Sequence, residues 1–136
     1  MANYKVEDVE GIGDVFGVKF RDAGVKDTDR LLQNSRKPGQ RKKLADKTGL
    51  STKRILKFAN MADLYRIDGI GSEFSELMEA AGVDTVPELA RRNPSNLAKK
   101  MLEINTAKKL TRRVPSETEV VKWVEQAKKL PRMLEY

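Results

Sequence analysis

The sequence lacks the residue types on which several classes of functional site depend. Its 136 residues include no cysteine and no histidine. This excludes disulfide bonds, thiolate or imidazole metal sites, and every mechanism with a cysteine or histidine as nucleophile or base. No window of the sequence is apolar enough to span a bilayer, and the first residues contain no apolar signal-peptide core. We therefore expect a soluble, cytoplasmic protein without a membrane partner.

The charge that is present is mostly basic. A formal net charge of +7 at pH 7 makes a polyanion a candidate partner, although basic residues also serve solubility. The length suits one compact body, or two small units that share a core. We expect no cofactor, no bound metal and no small-molecule substrate.

A five-residue pattern centred on Gly-Ile-Gly occurs twice. It covers residues 9–13 (VEGIG) and, 58 positions later, residues 67–71 (IDGIG). Glycine favours a tight backbone reversal there, because it adopts positive φ without the steric cost of a Cβ atom. Apolar residues follow each turn at helical spacing until an Ala-Gly-Val stop, which is typical of a helix C-terminus. Helix, glycine turn and helix form the helix-hairpin-helix pattern. Its turn glycines are Gly11, Gly13, Gly69 and Gly71.

The remaining pattern predicts helices and no strands, because no segment shows the two-residue alternation of a sheet. In the first half, the predicted helices cover residues 3–9, 14–23, a short segment with Leu31 and Leu32, 40–47, and 53–66. The second half repeats this order, with capping boxes at residues 85–88 and 116–119 and a helix after Asn93-Pro94 that carries Leu97, Met101 and Leu102. The last helix aligns with residues 53–66 at an offset of 65 positions, which pairs Phe58 with Trp123.

We therefore expect an all-α fold of two tandem helix-hairpin-helix units, each with about five helices. The first copy is residues 1–66 and the second copy is residues 67–136, and the helix over residues 53–66 is expected to fuse them into one compact body. Most aromatic residues lie on apolar helical faces, so we expect them in the core and not stacked on bases. They are Phe16, Phe20, Phe58, Tyr65, Phe74 and Trp123.

Together with the glycine turns, two strings carry a resemblance to a known family. They are residues 83–94 (VDTVPELARRNP) and 108–115 (KKLTRRVP). With them the chain resembles, over nearly its whole length, a bacterial helix-hairpin-helix family of unknown function. The resemblance implies the tandem fold but no reaction and no catalytic residue. More distantly, the chain is similar to the paired hairpin modules of DNA repair and replication proteins, which hold the DNA backbone without reading its sequence.

The two Gly-Ile-Gly turns depart from the nucleic-acid-binding form of such a hairpin. There, backbone N–H groups of the turn and of the next helix point at a phosphate, and a basic side chain usually follows. Here the first turn of each following helix carries a carboxylate, Asp14 or Glu73, which repels phosphate. The turns could equally be connections between packed helices.

Basic charge is concentrated in the second half of each copy. Residues 36–60 contain nine basic residues and one acidic residue, and residues 91–113 contain eight and one, whereas residues 61–90 contain one and seven. We therefore hypothesise that two turns in the basic segments contact phosphates, which gives affinity and salt dependence but no reading of bases. The first turn holds Lys47, Gly49, Ser51, Thr52, Lys53 and Arg54, and the second holds Arg112, Arg113 and Ser116.

These observations favour binding of nucleic acid, DNA before RNA, through backbone phosphates and without sequence preference. One alternative is a protein-interaction or self-association module, in which acidic first halves pair with basic second halves. Another is that the basic runs are only solvated helix faces. We do not expect an enzyme. Asp68, Glu73, Glu76 and Glu79 resemble a magnesium site in composition, but the three-residue spacing of the glutamates indicates the solvent-exposed face of a helix.

Overall fold

The computed structural model describes residues 3–136, and within them the chain is helical, with no strand. This confirms the predicted all-α class. A 3-10 turn at Val6–Asp8 comes first. Eight α-helices follow: α1 Gly13–Asp22, α2 Thr28–Asn34, α3 Pro38–Thr48, α4 Thr52–Leu64, α5 Ser72–Ala80, α6 Val86–Ala90, α7 Pro94–Lys108 and α8 Glu117–Lys129. Residues 1 and 2, where the predicted first unit starts, lie outside the described residues.

The predicted first helix, over residues 3–9, is wrong. Lys5 has extended backbone and forms an antiparallel bridge with Asp27, and only the turn at Val6–Asp8 is helical. The backbone of this segment bonds to the loop before α2, since Thr28 N–H donates to the Tyr4 carbonyl (2.9 Å). These long-range hydrogen bonds satisfy backbone N–H and carbonyl groups that would otherwise have bonded within a local helix.

The capping box predicted at residues 85–88 is also wrong. Thr85 accepts no capping bond, and its hydroxyl lies instead 3.4 Å from the Glu88 carboxylate. The first N–H of α6, on Val86, donates to the buried carboxylate of Asp63 in α4 (2.8 Å). A carboxylate from a distant helix therefore satisfies the helix start that a local hydroxyl was expected to cap.

The buried apolar side chains form two clusters that meet at the end of α4. One cluster extends from Val6 to Tyr65, and the other extends from Leu64 to Ala127. Phe20, Phe58, Tyr65 and Trp123 are buried as predicted, whereas Phe16 and Phe74 are half-buried. On the helix predicted to carry Leu97, Met101 and Leu102, the first two are fully buried, whereas Leu102 is 54% exposed.

The segment after α8 returns to the first cluster. Leu134 is buried there, 2% exposed, among side chains that otherwise belong to residues 6–65. Two buried arginines bind the carbonyls of this segment: Arg41 Nη2 donates to Glu135 (2.7 Å) and Arg66 Nη2 donates to Pro131 (2.7 Å). The segment after α8 is thereby attached to the core that residues 6–65 form.

Replacing Leu134 by alanine should lower the free energy of unfolding by about 2–5 kcal/mol, because it leaves a cavity in the first cluster. Leu102→Ala is the matched control and should change stability by less than about 0.5 kcal/mol, since Leu102 is exposed. Urea unfolding of both variants measures the difference. Equal, small losses would mean that the tail is not part of the folded core.

Candidate functional site

The two Gly-Ile-Gly turns share one geometry at their first glycine. Gly11 has φ +91° and Gly69 has φ +97°, and in each turn the isoleucine N–H donates to the carbonyl three residues earlier (3.0 and 3.1 Å). An aromatic ring lies against each glycine. A Cβ atom on Gly11 would be 3.2 Å from Phe58, and one on Gly69 would be 2.9 Å from Nε1 of Trp123. Both conformation and space therefore require glycine at these two positions.

The second glycines of the two turns differ. Gly13 has φ +61°, whereas Gly71 is extended with φ −113°, so the expected left-handed conformation holds for Gly13 and not for Gly71. Neither α1, which begins at Gly13, nor α5, which begins one residue after Gly71, has a side-chain cap. Their first N–H groups thus keep the positive end of the helix dipole available to an anion.

The α3–α4 turn holds the predicted basic residues of the first copy on the surface. Gly49 ends α3 with φ +75°, and Ser51 starts α4 by accepting a hydrogen bond from Arg54 N–H (3.2 Å). The capping bond fixes the Ser51 hydroxyl at the helix start, where it remains exposed. The other members of the turn are also exposed: Lys47, Gly49, Thr52, Lys53 and Arg54.

Two cations from different helices meet at the ring of Phe16. The Arg54 guanidinium carbon lies 4.8 Å from the ring centre, and Lys19 Nζ lies 5.6 Å from it. Lys19 Nζ also lies 3.9 Å from the position that a Cβ atom on Gly49 would take. Lys19 in α1 therefore lies beside the α3–α4 turn. Lys19 and Arg54 both lie within cation–π distance of the half-buried Phe16 ring.

The first Gly-Ile-Gly turn borders the same surface. Phe58 contacts Gly11 on one side, and the Arg54 guanidinium carbon lies 5.6 Å from its ring centre. Gly11 and Arg54 also line one cleft of about 500 Å³. The structure thus brings together two groups that the sequence placed apart, the first glycine turn and the α3–α4 turn. We call the α3–α4 turn, together with Lys19, Lys47, Lys53 and Arg54, the first-copy cationic surface.

The cations of this surface have no carboxylate partner. Among residues 3–136, no ion pair involves Lys19, Lys47, Lys53 or Arg54. Unpaired surface cations keep their full charge for a ligand, whereas paired ones must first exchange partners.

Acidic side chains line the other wall of the cleft. Glu79 pairs with Lys57 (3.9 Å), and Glu10 and Glu76 lie in the same cleft. Burial raises the pKa of Glu76, and the charges of Glu10 and Glu79 raise it further. In the part of the chain that the structure describes, no group of three or more acidic side chains is arranged to hold a metal ion.

The predicted basic turn of the second copy is arranged differently, because its arginines are paired. Arg113 donates two hydrogen bonds to Glu119 (2.8 and 2.9 Å), and Arg112 pairs with Glu73 (3.2 Å). Ser116 also bonds to Glu119 in the predicted capping box, which is confirmed. The hydrogen bonds from Arg113 hold the pKa of Glu119 at about 2, so this carboxylate is charged throughout the neutral range.

Lys19 was not predicted as part of the surface, although the sequence contains a signal for it. At the 58-position offset Lys19 aligns with Leu77, which is fully buried, so the repeat changes from a core residue to a cation at this position. A comparison of the copies position by position would have singled it out.

Alanine substitutions at two glycines separate backbone strain from the aromatic contact. Gly24 has φ +84° and open space around it, so Gly24→Ala should cost about 1–2 kcal/mol. Gly69→Ala should cost a further ~1–3 kcal/mol, because its Cβ atom would overlap the Trp123 indole. Urea unfolding followed by Trp123 fluorescence measures both. Equal costs would show that the indole contact imposes no constraint.

Acid unfolding should depend on Glu119. A carboxylate with a lowered pKa stabilises the fold fully above its unfolded-state pKa of about 4.5, and this stabilisation is lost as the pH falls toward 2. Glu119→Gln keeps a side chain that suits a capping box but removes this titration. The variant should therefore lose less stability than the parent between pH 5 and about 2.5.

Glu117→Gln is the control, because Glu117 lies in the same first turn of α8 and forms no ion pair within residues 3–136. Urea midpoints at several pH values measure the difference. If Glu119→Gln loses as much stability as the parent when the pH falls, the acid sensitivity does not come from Glu119.

No helix within the described residues combines the length and apolar character that crossing a bilayer requires.

A sequence model of the family described as Domain of unknown function (DUF4332) matches residues 10–130. No curated protein and no solved structure matches the chain. Because the match covers most of the sequence, the expected membership of a family of unknown function is confirmed, and the chain belongs to the DUF4332 family.

Proposed function

We propose that this protein binds nucleic acid through backbone phosphates, without sequence preference, at the first-copy cationic surface. The observation that carries the proposal is the meeting of Lys19 and Arg54 at the Phe16 ring, beside the capped start of α4 and the first glycine turn. Four cations without ion pairs among residues 3–136, contributed by α1, α3 and α4, form a positive surface. A polyanion matches such a surface better than a single small anion does.

The proposal includes a helix-hairpin-helix interpretation of both glycine turns. Each turn connects a short helical segment or helix end to an uncapped helix, and each is fixed by an aromatic ring from the last long helix of its copy. In the first copy, the uncapped start of α1 would supply N–H groups to a phosphate. Asp14 opposes this attraction, and Lys19 and Arg54, which meet at the Phe16 ring, offset its charge.

The basic side chains of this surface suit contact with backbone phosphates. Lysine and arginine at a helix start contact phosphate oxygens and position a protein on a strand or duplex, whereas sequence is read by side chains in a groove. DNA is the first candidate, because the related hairpin modules act on DNA.

A protein partner is the second candidate function, and one observation favours it. On α1, Val15 is 73% exposed and Val18 is 58% exposed, whereas the aligned positions in α5 are Glu73 and Glu76. Exposed apolar side chains on one helix face are typical of protein contacts. Val15→Ser with Val18→Ser would weaken such a contact and leave phosphate binding unchanged.

The test is fluorescence-anisotropy binding to a mixed-sequence duplex, a single strand and a branched junction, across a salt series. The double variant Lys53→Gln, Arg54→Gln should lose affinity by roughly tenfold for each phosphate contact removed at 0.1 M salt, and its salt slope should fall by about 0.9 per contact. Lys99→Gln with Lys100→Gln removes the same charge from exposed positions on α7 and is the matched control. Equal losses in both double variants would mean that affinity follows net charge and not this surface.

A further inference from the structure

We infer that the second copy contains a latent phosphate site that Glu119 keeps closed, so that the two copies are unequal in binding. The inference rests on the proposed function, because it concerns the same ligand at the equivalent place in the repeat. It follows from a comparison of the two copies around the aligned rings of Phe16 and Phe74.

A guanidinium lies over the aligned ring in both copies. Arg54 lies 4.8 Å from the centre of Phe16, and Arg113 lies 5.0 Å from the centre of Phe74. The two arginines come from different places in the repeat, since Arg54 is in the first turn of α4 and Arg113 precedes α8. The second copy thus reproduces the position of the charge with a different residue.

The residue aligned with Arg54 is the carboxylate that neutralises Arg113. At the 65-position offset, Arg54 corresponds to Glu119, which accepts both hydrogen bonds from Arg113. A bidentate pair of this kind satisfies the carboxylate-binding edge of the guanidinium, the same edge that would bind a phosphate. Arg54 keeps that edge free of any carboxylate within residues 3–136.

The other parts of an anion site are present around Arg113. Its side chain is 60% exposed even when paired, and α5 begins nearby without a side-chain cap. Arg112 connects the two, because it pairs with Glu73 in the first turn of α5. Removal of the Glu119 charge would leave Arg113 exposed and unpaired, as Arg54 is in the first copy.

The experiment compares the parent, Glu119→Gln and Glu117→Gln in anisotropy titrations with one mixed-sequence duplex across a salt series. Gln at position 119 preserves the side-chain length for the capping box at Ser116, so the helix start should remain folded. Glu119→Gln should raise affinity by roughly tenfold at 0.1 M salt and steepen the salt slope by about 0.9, which corresponds to one more phosphate contact. Glu117→Gln makes the same change in net charge in the same turn and should give a smaller gain with an unchanged slope.

Arg113→Gln added to Glu119→Gln should remove the gain, because it removes the cation that was released. No gain in Glu119→Gln, an equal gain in Glu117→Gln, or a gain that survives Arg113→Gln would each overturn the inference. The Lys53→Gln, Arg54→Gln variant in the same series separates the two proposals. If it loses affinity while Glu119→Gln gains none, the proposed function stands and the latent site is wrong. If the parent does not bind while Glu119→Gln does, the latent site stands and the proposed function is wrong.

Discussion

Contact between an aromatic ring and a glycine of positive φ is the constraint on which both copies depend. Phe58 lies against Gly11 and Trp123 lies against Gly69, and neither glycine could carry a Cβ atom without displacing its ring. Because each ring belongs to the last long helix of its copy, the contact fixes the glycine turn against α4 or α8. The start of the helix after the turn is then held at a defined place relative to the basic turn. In the first copy, that arrangement brings Lys19 of α1 beside Gly49 and Arg54.

Contacts of α4 and of the segment after α8 connect residues 3–66 with residues 67–136. Helix α4 supplies side chains to both apolar clusters, since Phe58 belongs to one and Leu64 to the other. Asp63, one residue earlier, caps α6 and pairs with Arg66 (2.8 Å), and Arg66 in turn holds the carbonyl of Pro131. The buried Asp63 carboxylate therefore has both a charged partner and a backbone donor, as a buried charge requires.

The sequence was sufficient where the determinants are local. Spacing predicted α1, α4 and α8, and Ser116 caps α8 as expected. It failed where a distant group competes with a local one. Tyr4 bonds to the loop at Thr28 and prevents a first helix, and Asp63 replaces Thr85 as the cap of α6. These outcomes depend on which residues meet in three dimensions, and periodicity contains no information about such meetings.

The candidate site shows the same division. The basic side chains predicted between Lys47 and Arg54 are exposed in the structure. The sequence could not show that Arg113 is neutralised, because the pairing with Glu119 depends on the path of the irregular segment between α7 and α8. The similar numbers of basic residues in the two segments, nine and eight, therefore do not show which of these charges are paired.

Phosphate contact at the first-copy cationic surface can be located by backbone amide NMR of the folded protein with a short mixed-sequence duplex, because each amide reports its own surroundings. Amide shifts should change at residues 11–16 and 49–54 and at Lys19, whereas those of residues 72–75 and 112–116 should remain unaffected. Changes confined to α7, or spread evenly over all exposed lysines, would show that phosphates do not contact this surface.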